Sequence, residues 1–175
     1  MNERAAMIRV DQAGEYGATR IYAGQLAVMG DRAPHSGEIR AMAEQEHGHL
    51  RAFDTLVAER GVRPTALQPL WSVAGYALGA ATALIGPEAA MACTAAVEEE
   101  IDRHYTRQLD RLGQASGTAD DDPELAEMIE RFRTDERAHR ELALAAGAER
   151  APAYPLLSAA IRLGCRAAIR LSERI

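Results

Sequence analysis

The chain has 175 residues and a net charge of −6, and it shows no basic face with interleaved aromatic residues, which argues against a nucleic-acid-binding protein. Its length fits a single domain, predicted over residues 1–175, with a sizeable core. Alanine is abundant, aromatic residues make up only 5% and runs of β-branched residues are absent, so the composition favours an all-α protein over any sheet.

Helical periodicity of the apolar residues predicts two helical hairpins. The first has helices over about residues 3–29 and 38–60, separated by the turn sequence GDRAPHSG. The second has helices over about residues 88–112 and 123–146, separated by GQASGTADDDP. Two hairpins joined by a long crossover have the topology of a ferritin-like four-helix bundle.

Two further segments are mainly apolar. An uncharged stretch predicts an additional crossover helix over about residues 70–85, too short for a confident membrane span of about 20 residues. A C-terminal amphipathic helix is predicted over about residues 156–173, and arginines recur every four residues along one side: Arg162, Arg166, Arg170 and Arg174. Such a helix suits a membrane surface with its arginines at the headgroups. The alternative is a surface helix whose arginine stems cover an ordinary core.

The second bundle helix contains the pattern E-x-x-H twice, in the overlapping stretch EQEHGH. Residues three apart on a helix point the same way, so either Glu44 with His47 or Glu46 with His49 could grip a metal ion. The apolar stripe of this helix has a gap where Glu46 and His49 continue it, whereas Glu44 and His47 align with a charged face. We therefore expect Glu46 and His49 to point inward and the other pair to be solvated.

The other three bundle helices also interrupt their apolar stripes with acidic residues. The fourth repeats the pattern with Glu136 and His139, and the first carries Glu15 at heptad spacing among apolar residues. The third carries Glu98 in the same way. Its neighbours Glu99 and Glu100 can pair with an arginine on the outer face, which leaves Glu98 as the inward residue.

One glutamate from each of two helices and Glu-x-x-His from each of the other two is the di-iron carboxylate pattern. The predicted metal ligands are Glu15, Glu46, His49, Glu98, Glu136 and His139. Four buried carboxylates would be very costly alone, but two divalent cations neutralise them. Both iron and manganese accept this ligand set.

Neighbouring polar residues are candidates for orienting the metal-binding histidines. Asp135 and Gln45 each precede an inward glutamate and could each orient the histidine of the opposite hairpin. Asp11 and Asp102, four residues along the helix from an inward glutamate, compete for this role. Two tyrosines lie seven residues beyond an inward glutamate, at positions that either approach the site or only pack the core: Tyr22 and Tyr105.

The flanking sequences resemble a known family, the 5-demethoxyubiquinone hydroxylases, which are membrane-associated di-iron monooxygenases of ubiquinone biosynthesis. The similar stretches cover most of the chain and include RVDQAGEYGATRIYAGQ, QEHGHL, ALGAATALIGPEAAMACTAAVEE, FRTDERAH and APAYPLLSAAIRLGCRAAIRLSER. The E-x-x-H pairs fall where the family has its ligands. The departures are in the loops GDRAPHSG and GQASGTADDDP, which carry no predicted ligand.

The resemblance implies hydroxylation of a prenylated quinone ring by two iron ions, with O2 and electrons from NADH. It implies a peripheral membrane protein on the cytoplasmic side of a bacterial inner membrane, or on the mitochondrial matrix face in a eukaryote. It favours a role in quinone binding or electron transfer for His104 and Tyr105, although periodicity alone makes His104 an edge-of-core residue. It admits other ubiquinone-biosynthesis proteins as partners, and an oligomer.

Two other functions stay open at this point. Another ferritin-like di-iron protein, for iron storage or peroxide reduction, would share the six ligands but would not need the apolar crossover and the last helix. A metal-free helical module would leave four inward carboxylates unexplained. If the quinone is the substrate, we expect the crossover and final helices to lie together on one face and to mark its entrance.

Overall fold

The computed structural model describes residues 3–118 and 121–175, so part of the predicted loop between the third and fourth bundle helices lies outside the described residues. These residues form six α-helices: α1 (Glu3–Met29), α2 (Ser36–Glu59), α3 (Gln68–Ile85), α4 (Pro87–Gln114), α5 (Pro123–Ala145) and α6 (Tyr154–Ser172). A short 3₁₀ helix, Ala148–Arg150, precedes α6. The all-α prediction is confirmed, and each predicted helix boundary lies within two residues of the observed one.

Helices α1, α2, α4 and α5 form the bundle, in which α1 packs against α2 and α4 packs against α5. Its core has two apolar clusters. One lies toward the C-terminal end of α1 and includes Ile39 and Met91, and the other lies toward the opposite end and includes Phe53 and Ile129. Along every bundle helix, the predicted metal ligands fall between the residues of these two clusters. The packing of the bundle therefore encloses a polar layer in the middle of an apolar core.

The crossover helix α3 lies directly against α1, with backbone contacting backbone. A Cβ atom at Gly79 would lie 1.9 Å from the carbonyl oxygen of Ile21, and one at Gly24 would lie 2.1 Å from that of Tyr76. Only glycine permits this approach. At the end of α3, Gly86 has a φ of 149°, a conformation that favours glycine, and Pro87 then begins α4.

The final helix α6 covers part of α4, and this contact changes the expected role of its arginines. Arg162 donates to Glu99 at 3.0 Å and Arg166 donates to Glu100 at 2.8 Å. These two arginines therefore bind α4, whereas a membrane-facing role for the helix stays a prediction. They bind there because the acidic outer face of α4 lies beneath α6. Arg170 and Arg174 remain exposed.

The outer surfaces of α3 and α6 are apolar. Four of their side chains are 64–75% exposed: Val73, Leu84, Leu156 and Leu163. In the described residues, no helix is both long enough and apolar enough to cross a membrane.

Candidate metal centre and adjoining cavity

The six predicted ligands come together in the polar layer of the bundle, and each is at most 4% exposed. They form two overlapping groups in which the ligand atoms all lie within 4.8 Å of one another. The first group is Glu15, Glu46, His49 and Glu136, and the second is Glu46, Glu98, Glu136 and His139. Because Glu46 and Glu136 belong to both groups, the arrangement suits two metal ions bridged by two carboxylates.

The orientation of the two shared carboxylates fits this bridging role. Glu136 Oε1 lies 3.2 Å from Nδ1 of His49, and its Oε2 lies 3.4 Å from Nδ1 of His139. Glu46 is turned the same way, with Oε2 at 3.7 Å from His49 and Oε1 at 3.0 Å from His139. Each bridging glutamate therefore presents one oxygen to each half of the site.

The inward atoms of these side chains have no hydrogen-bond partner within the described protein. They are Glu15 Oε2, both carboxylate oxygens of Glu46, His49 Nδ1, Glu98 Oε2, both carboxylate oxygens of Glu136, and His139 Nδ1. A buried polar atom without a partner costs about 1–3 kcal/mol, and native proteins contain few of them. A cluster of oxygen and imidazole nitrogen donors with unused lone pairs fits divalent iron or manganese.

The outward nitrogen of each histidine is bound by the opposite hairpin. Nε2 of His49 lies 3.1 Å from Oδ2 of Asp135, and Nε2 of His139 lies 3.0 Å from Oε1 of Gln45. Since both partner oxygens accept, each Nε2 carries a proton, and Nδ1 is the ring nitrogen of each histidine that faces the interior. The two contacts expected from the matching positions of Asp135 and Gln45 are therefore present.

The competing candidates bind elsewhere. Asp102 accepts hydrogen bonds from Arg133 at 2.9 Å and from Arg137 at 2.8 Å, and so joins α4 to α5 at the surface. Asp11 does contact a histidine, but it is His104, whose Nε2 lies 3.1 Å from Oδ1 of Asp11.

A third member of the Asp11 cluster was missed from the sequence. Gln108 donates to Asp11 at 2.9 Å, and its side-chain nitrogen also lies 2.9 Å from Nε2 of His104. All three side chains are buried. The spacing of four residues between His104 and Gln108 was the available signal, since it places them on the same face of α4.

Each of the two tyrosines hydrogen-bonds to a predicted ligand on the other of the two helices α1 and α4. Tyr22 on α1 donates to Glu98 on α4 at 2.7 Å, and Tyr105 on α4 donates to Glu15 on α1. Burial, followed by the charge of the adjacent glutamate, raises the pKa of both phenols well above the usual value. Both therefore stay protonated and hold the outer oxygen of their glutamate, leaving the other oxygen directed inward.

Without a cation, the centre has to retain protons. Burial raises the pKa of Glu15 and Glu98 well above the usual range, and repulsion from the other carboxylates adds to this effect. Burial would lower the pKa of both histidines, but contacts with the carboxylates outweigh it and raise that of His139 to about 9 and that of His49 further. Two divalent ions would supply the positive charge that these protons otherwise provide.

An apolar cavity of about 500 Å³ lies between α1, α3, α4 and α6. Helices α3 and α6 both line it, as expected for a shared face, and Trp71 of α3 donates to Ser172 of α6 at 2.9 Å. The cavity wall includes Gly14 and Val97, the neighbours of the ligands Glu15 and Glu98. The cavity is therefore lined by residues of α1 and α4, the helices that carry Glu15 and Glu98, and, among the described residues, by none of α2 or α5.

His47 and Glu44 lie on the exposed face of α2, as expected, and His104 and Tyr105 are not among the cavity-lining residues. Tyr105 instead contacts a ligand, as described above.

Comparison with known proteins decides the family. The model of the family described as ubiquinone biosynthesis protein COQ7 matches residues 2–172. The chain belongs to this family. The 3-demethoxyubiquinol 3-hydroxylase of Rhodospirillum rubrum is 56% identical over 168 residues, which cover 96% of this chain and 76% of that protein. These matches confirm the resemblance to the 5-demethoxyubiquinone hydroxylases that the sequence showed for this COQ7 family member.

Eukaryotic relatives match over a similar length. The mitochondrial NADPH-dependent 3-demethoxyubiquinone 3-hydroxylase of Homo sapiens is 51% identical over 173 residues, covering 97% of this chain and 76% of that protein. The mitochondrial 5-demethoxyubiquinone hydroxylase of Saccharomyces cerevisiae is 42% identical over 179 residues, covering 97% of this chain and 77% of that protein.

Proposed function

We propose that this COQ7 family member is a monooxygenase that hydroxylates the ring of a demethoxyubiquinone-type prenylated quinone at two iron ions. The observation that carries the proposal is the set of buried ligand atoms without hydrogen-bond partners in the middle of the bundle. The hydroxylase activity in the names of the relatives supplies the reaction.

The metal ligands divide into two terminal sets and a shared pair. Glu15 and His49 would hold one ion, Glu98 and His139 would hold the other, and both ions would share the remaining carboxylates, Glu46 and Glu136. Bound iron would supply the reduction of O2 and the insertion of one oxygen atom into a ring C–H bond, while the other oxygen atom leaves as water.

The protein positions the ligand side chains and excludes water from the centre. Asp135 and Gln45 keep the histidine lone pairs directed inward, and Tyr22 and Tyr105 hold the terminal glutamates from the opposite helix. The apolar clusters on either side of the polar layer exclude water, which strengthens each electrostatic contact within it.

The cavity supports a long-tailed apolar substrate. Its walls are formed mainly by small and aliphatic side chains, and they include Gly14 and Val97, which precede the predicted ligands Glu15 and Glu98 in the sequence. The two helices α3 and α6, which line it, also carry exposed apolar side chains, and Arg170 of α6 and the following Arg174 are exposed. This supports peripheral binding to an anionic membrane surface, on the cytoplasmic side of a bacterial inner membrane or the matrix side in a mitochondrion.

The electrons come from a nicotinamide nucleotide in this proposal. NADH is implied by the sequence resemblance, whereas several eukaryotic relatives are named NADPH-dependent. Tyr105 donates to the ligand Glu15, and its ring centroid lies 6.2 Å from that of His104. These contacts favour electron or proton transfer over direct quinone binding for His104 and Tyr105.

Reconstitution tests the proposal. Metal-free protein would be loaded with Fe(II) without oxygen, then given O2, a demethoxyquinone and either NADH or NADPH, and the product would be identified by mass. We expect two iron ions per chain and a quinone heavier by one oxygen atom. Growth of an iron mineral without this product would support iron storage instead, and less than one ion per chain would support a metal-free module.

A further inference from the structure

We propose that the two metal positions differ in affinity, and that the position of Glu15 and His49 binds its ion more tightly than the position of Glu98 and His139. The inference rests on the metal centre proposed above and concerns the residues behind the two histidines. Asp135 places a negative charge behind His49, whereas Gln45 places only a neutral amide behind His139.

The two halves of the centre share several features. Each has one terminal glutamate that accepts from a tyrosine of the opposite helix, and each has a histidine three residues after a bridging glutamate. The bridging carboxylates are common to both positions, so their charges largely cancel in the comparison. The contrast between Asp135 and Gln45 leaves a formal difference of one negative charge.

That charge acts on the metal through the imidazole. A carboxylate that accepts from Nε2–H makes Nδ1 a stronger donor than an amide oxygen does, because it stabilises positive charge on the ring. Asp135 is one-third exposed, with 33% of its side-chain surface accessible, and its ion-pair partner in the described part of the chain is His49. No arginine ion pair in those residues offsets its charge.

The ring of His49 is also fixed by packing. It stacks on Phe132 with a centroid distance of 4.0 Å and an interplanar angle of 25°. The stack shields one face of the ring from water and so strengthens the contact with Asp135 behind it. A charged partner and a fixed ring therefore act on the same histidine.

Stepwise loading with Co²⁺ tests the proposal by metal affinity and absorption rather than by turnover. We expect the first ion to bind the wild-type protein at least about tenfold more tightly than the second, within the range of 10–100-fold attributed to such partners. A crystal structure with one equivalent of Co²⁺ should show anomalous density beside His49 rather than His139.

Substitutions that change only the charge of the two partner residues distinguish an effect of charge on metal affinity from an effect of side-chain shape. Asp135→Asn keeps an oxygen that accepts from His49, so a purely structural role predicts no change, whereas the charge role predicts a first ion bound about 10–100-fold more weakly. Gln45→Glu should strengthen the second site, and the double variant should move the first ion toward His139. Glu44→Gln removes one charge from the exposed residue beside Gln45 and is the matched control, expected to leave both affinities unchanged.

The outcomes are distinguishable. Equal affinities in the wild-type protein, a first ion beside His139, or an unchanged first affinity in folded Asp135→Asn would overturn the asymmetry and leave the metal centre intact. Binding of less than one Co²⁺ ion to the wild-type protein would overturn the metal centre itself, and the asymmetry with it. If Asp135→Asn fails to fold, Gln45→Glu decides the question, because an unchanged second site there would also contradict the proposal.

Discussion

The candidate metal centre and the cavity share two helices, α1 and α4, and use them in opposite ways. On α1, Glu15 points into the centre while its neighbour Gly14 lines the cavity, and on α4 Glu98 and Val97 divide the two roles similarly. Successive helical residues point about 100° apart, so one helix can present charge to one interior space and an apolar surface to another. The centre depends on individual atoms, whereas the cavity depends on the volume left by small side chains.

The largest effect should follow removal of a bridging ligand. Glu46→Ala should lower metal content and hydroxylation to the level of metal-free protein, because both proposed metal positions lose a carboxylate at once. Glu44→Ala, two residues away on the exposed face, should retain both. Metal analysis and product mass measure the contrast. Loss of metal from Glu44→Ala with retention in Glu46→Ala would show that the site contains Glu44 and His47 instead of Glu46 and His49.

Removal of the metal should be the next largest effect, now on stability. At a free metal concentration about 1,000 times Kd, binding stabilises the folded state by about 4 kcal/mol. For a chain of this length, that corresponds to a rise in Tm of about 8–16 °C. Calorimetry of metal-free and reloaded protein measures the difference, and the same Tm in both forms would contradict a buried four-carboxylate site.

Binding to an anionic membrane surface, as proposed above, should depend on the two exposed arginines. Each arginine near an anionic surface contributes about 1 kcal/mol, so Arg170→Gln with Arg174→Gln should weaken vesicle binding by about 2 kcal/mol, or about thirtyfold. Arg162→Gln is the control, because that residue already pairs with Glu99. Co-sedimentation with anionic vesicles measures the affinities. An equal loss of vesicle affinity in the control and in the double variant would contradict the distinction between the paired and the exposed arginines.

The cavity should tolerate a larger side chain structurally but not functionally. A Cβ at Gly164 meets no atom within 4 Å, and the residue lines the cavity, so Gly164→Leu should fold and occupy part of the available space. We expect turnover of a long-tailed quinone to fall by about tenfold while metal content stays the same. Gly113→Leu, at an equally open position outside the cavity lining, should retain wild-type turnover. Equal turnover of the long-tailed quinone by both variants would show that the cavity does not bind this substrate.

The smallest effect concerns pH and the metal-free centre. The pKa of His139 is raised to about 9 in the folded chain, above the unfolded value of about 6.5, so its stabilising contribution is fully present below pH 6.5 and is lost as pH rises through 9. Metal-free protein should therefore lose free energy of unfolding between pH 6.5 and 9, at up to about 1.4 kcal/mol per pH unit for each proton held. Denaturant titrations measure the slope, which metal-loaded protein should not share. A free energy that rises with pH in the metal-free form would contradict protonated histidines in the centre.

The sequence was sufficient for the helices and for the choice between overlapping E-x-x-H pairs. Apolar periodicity and the uncharged crossover stretch placed the helix ends within two residues, and the stripe on α2 selected Glu46 and His49 over Glu44 and His47. Both are local properties, set by residue spacing along one helix. For the partners of the two histidines, residue spacing offered Asp135 and Gln45 but left Asp11 and Asp102 as competing candidates, and the structure decided between them.

The sequence did not reveal which side chains meet across helices. Tyr22 contacts Glu98 rather than Glu15 on its own helix, and Asp11 orients His104 rather than a metal-binding histidine. Both outcomes depend on the relative rotation and translation of α1 and α4, which residue spacing within either helix leaves undetermined.

By itself, then, the sequence determined the helices, the inward face of each and the six residues on those faces, because burial periodicity is written along each helix separately. Only the tertiary structure decided that α6 lies on the acidic face of α4, pairing Arg162 and Arg166 with Glu99 and Glu100, and that an apolar cavity opens between four helices. The physical reason is that these features arise from the packing of whole helices, in which close contact at the glycines of α1 and α3 and ion pairs between α4 and α6 set the distances.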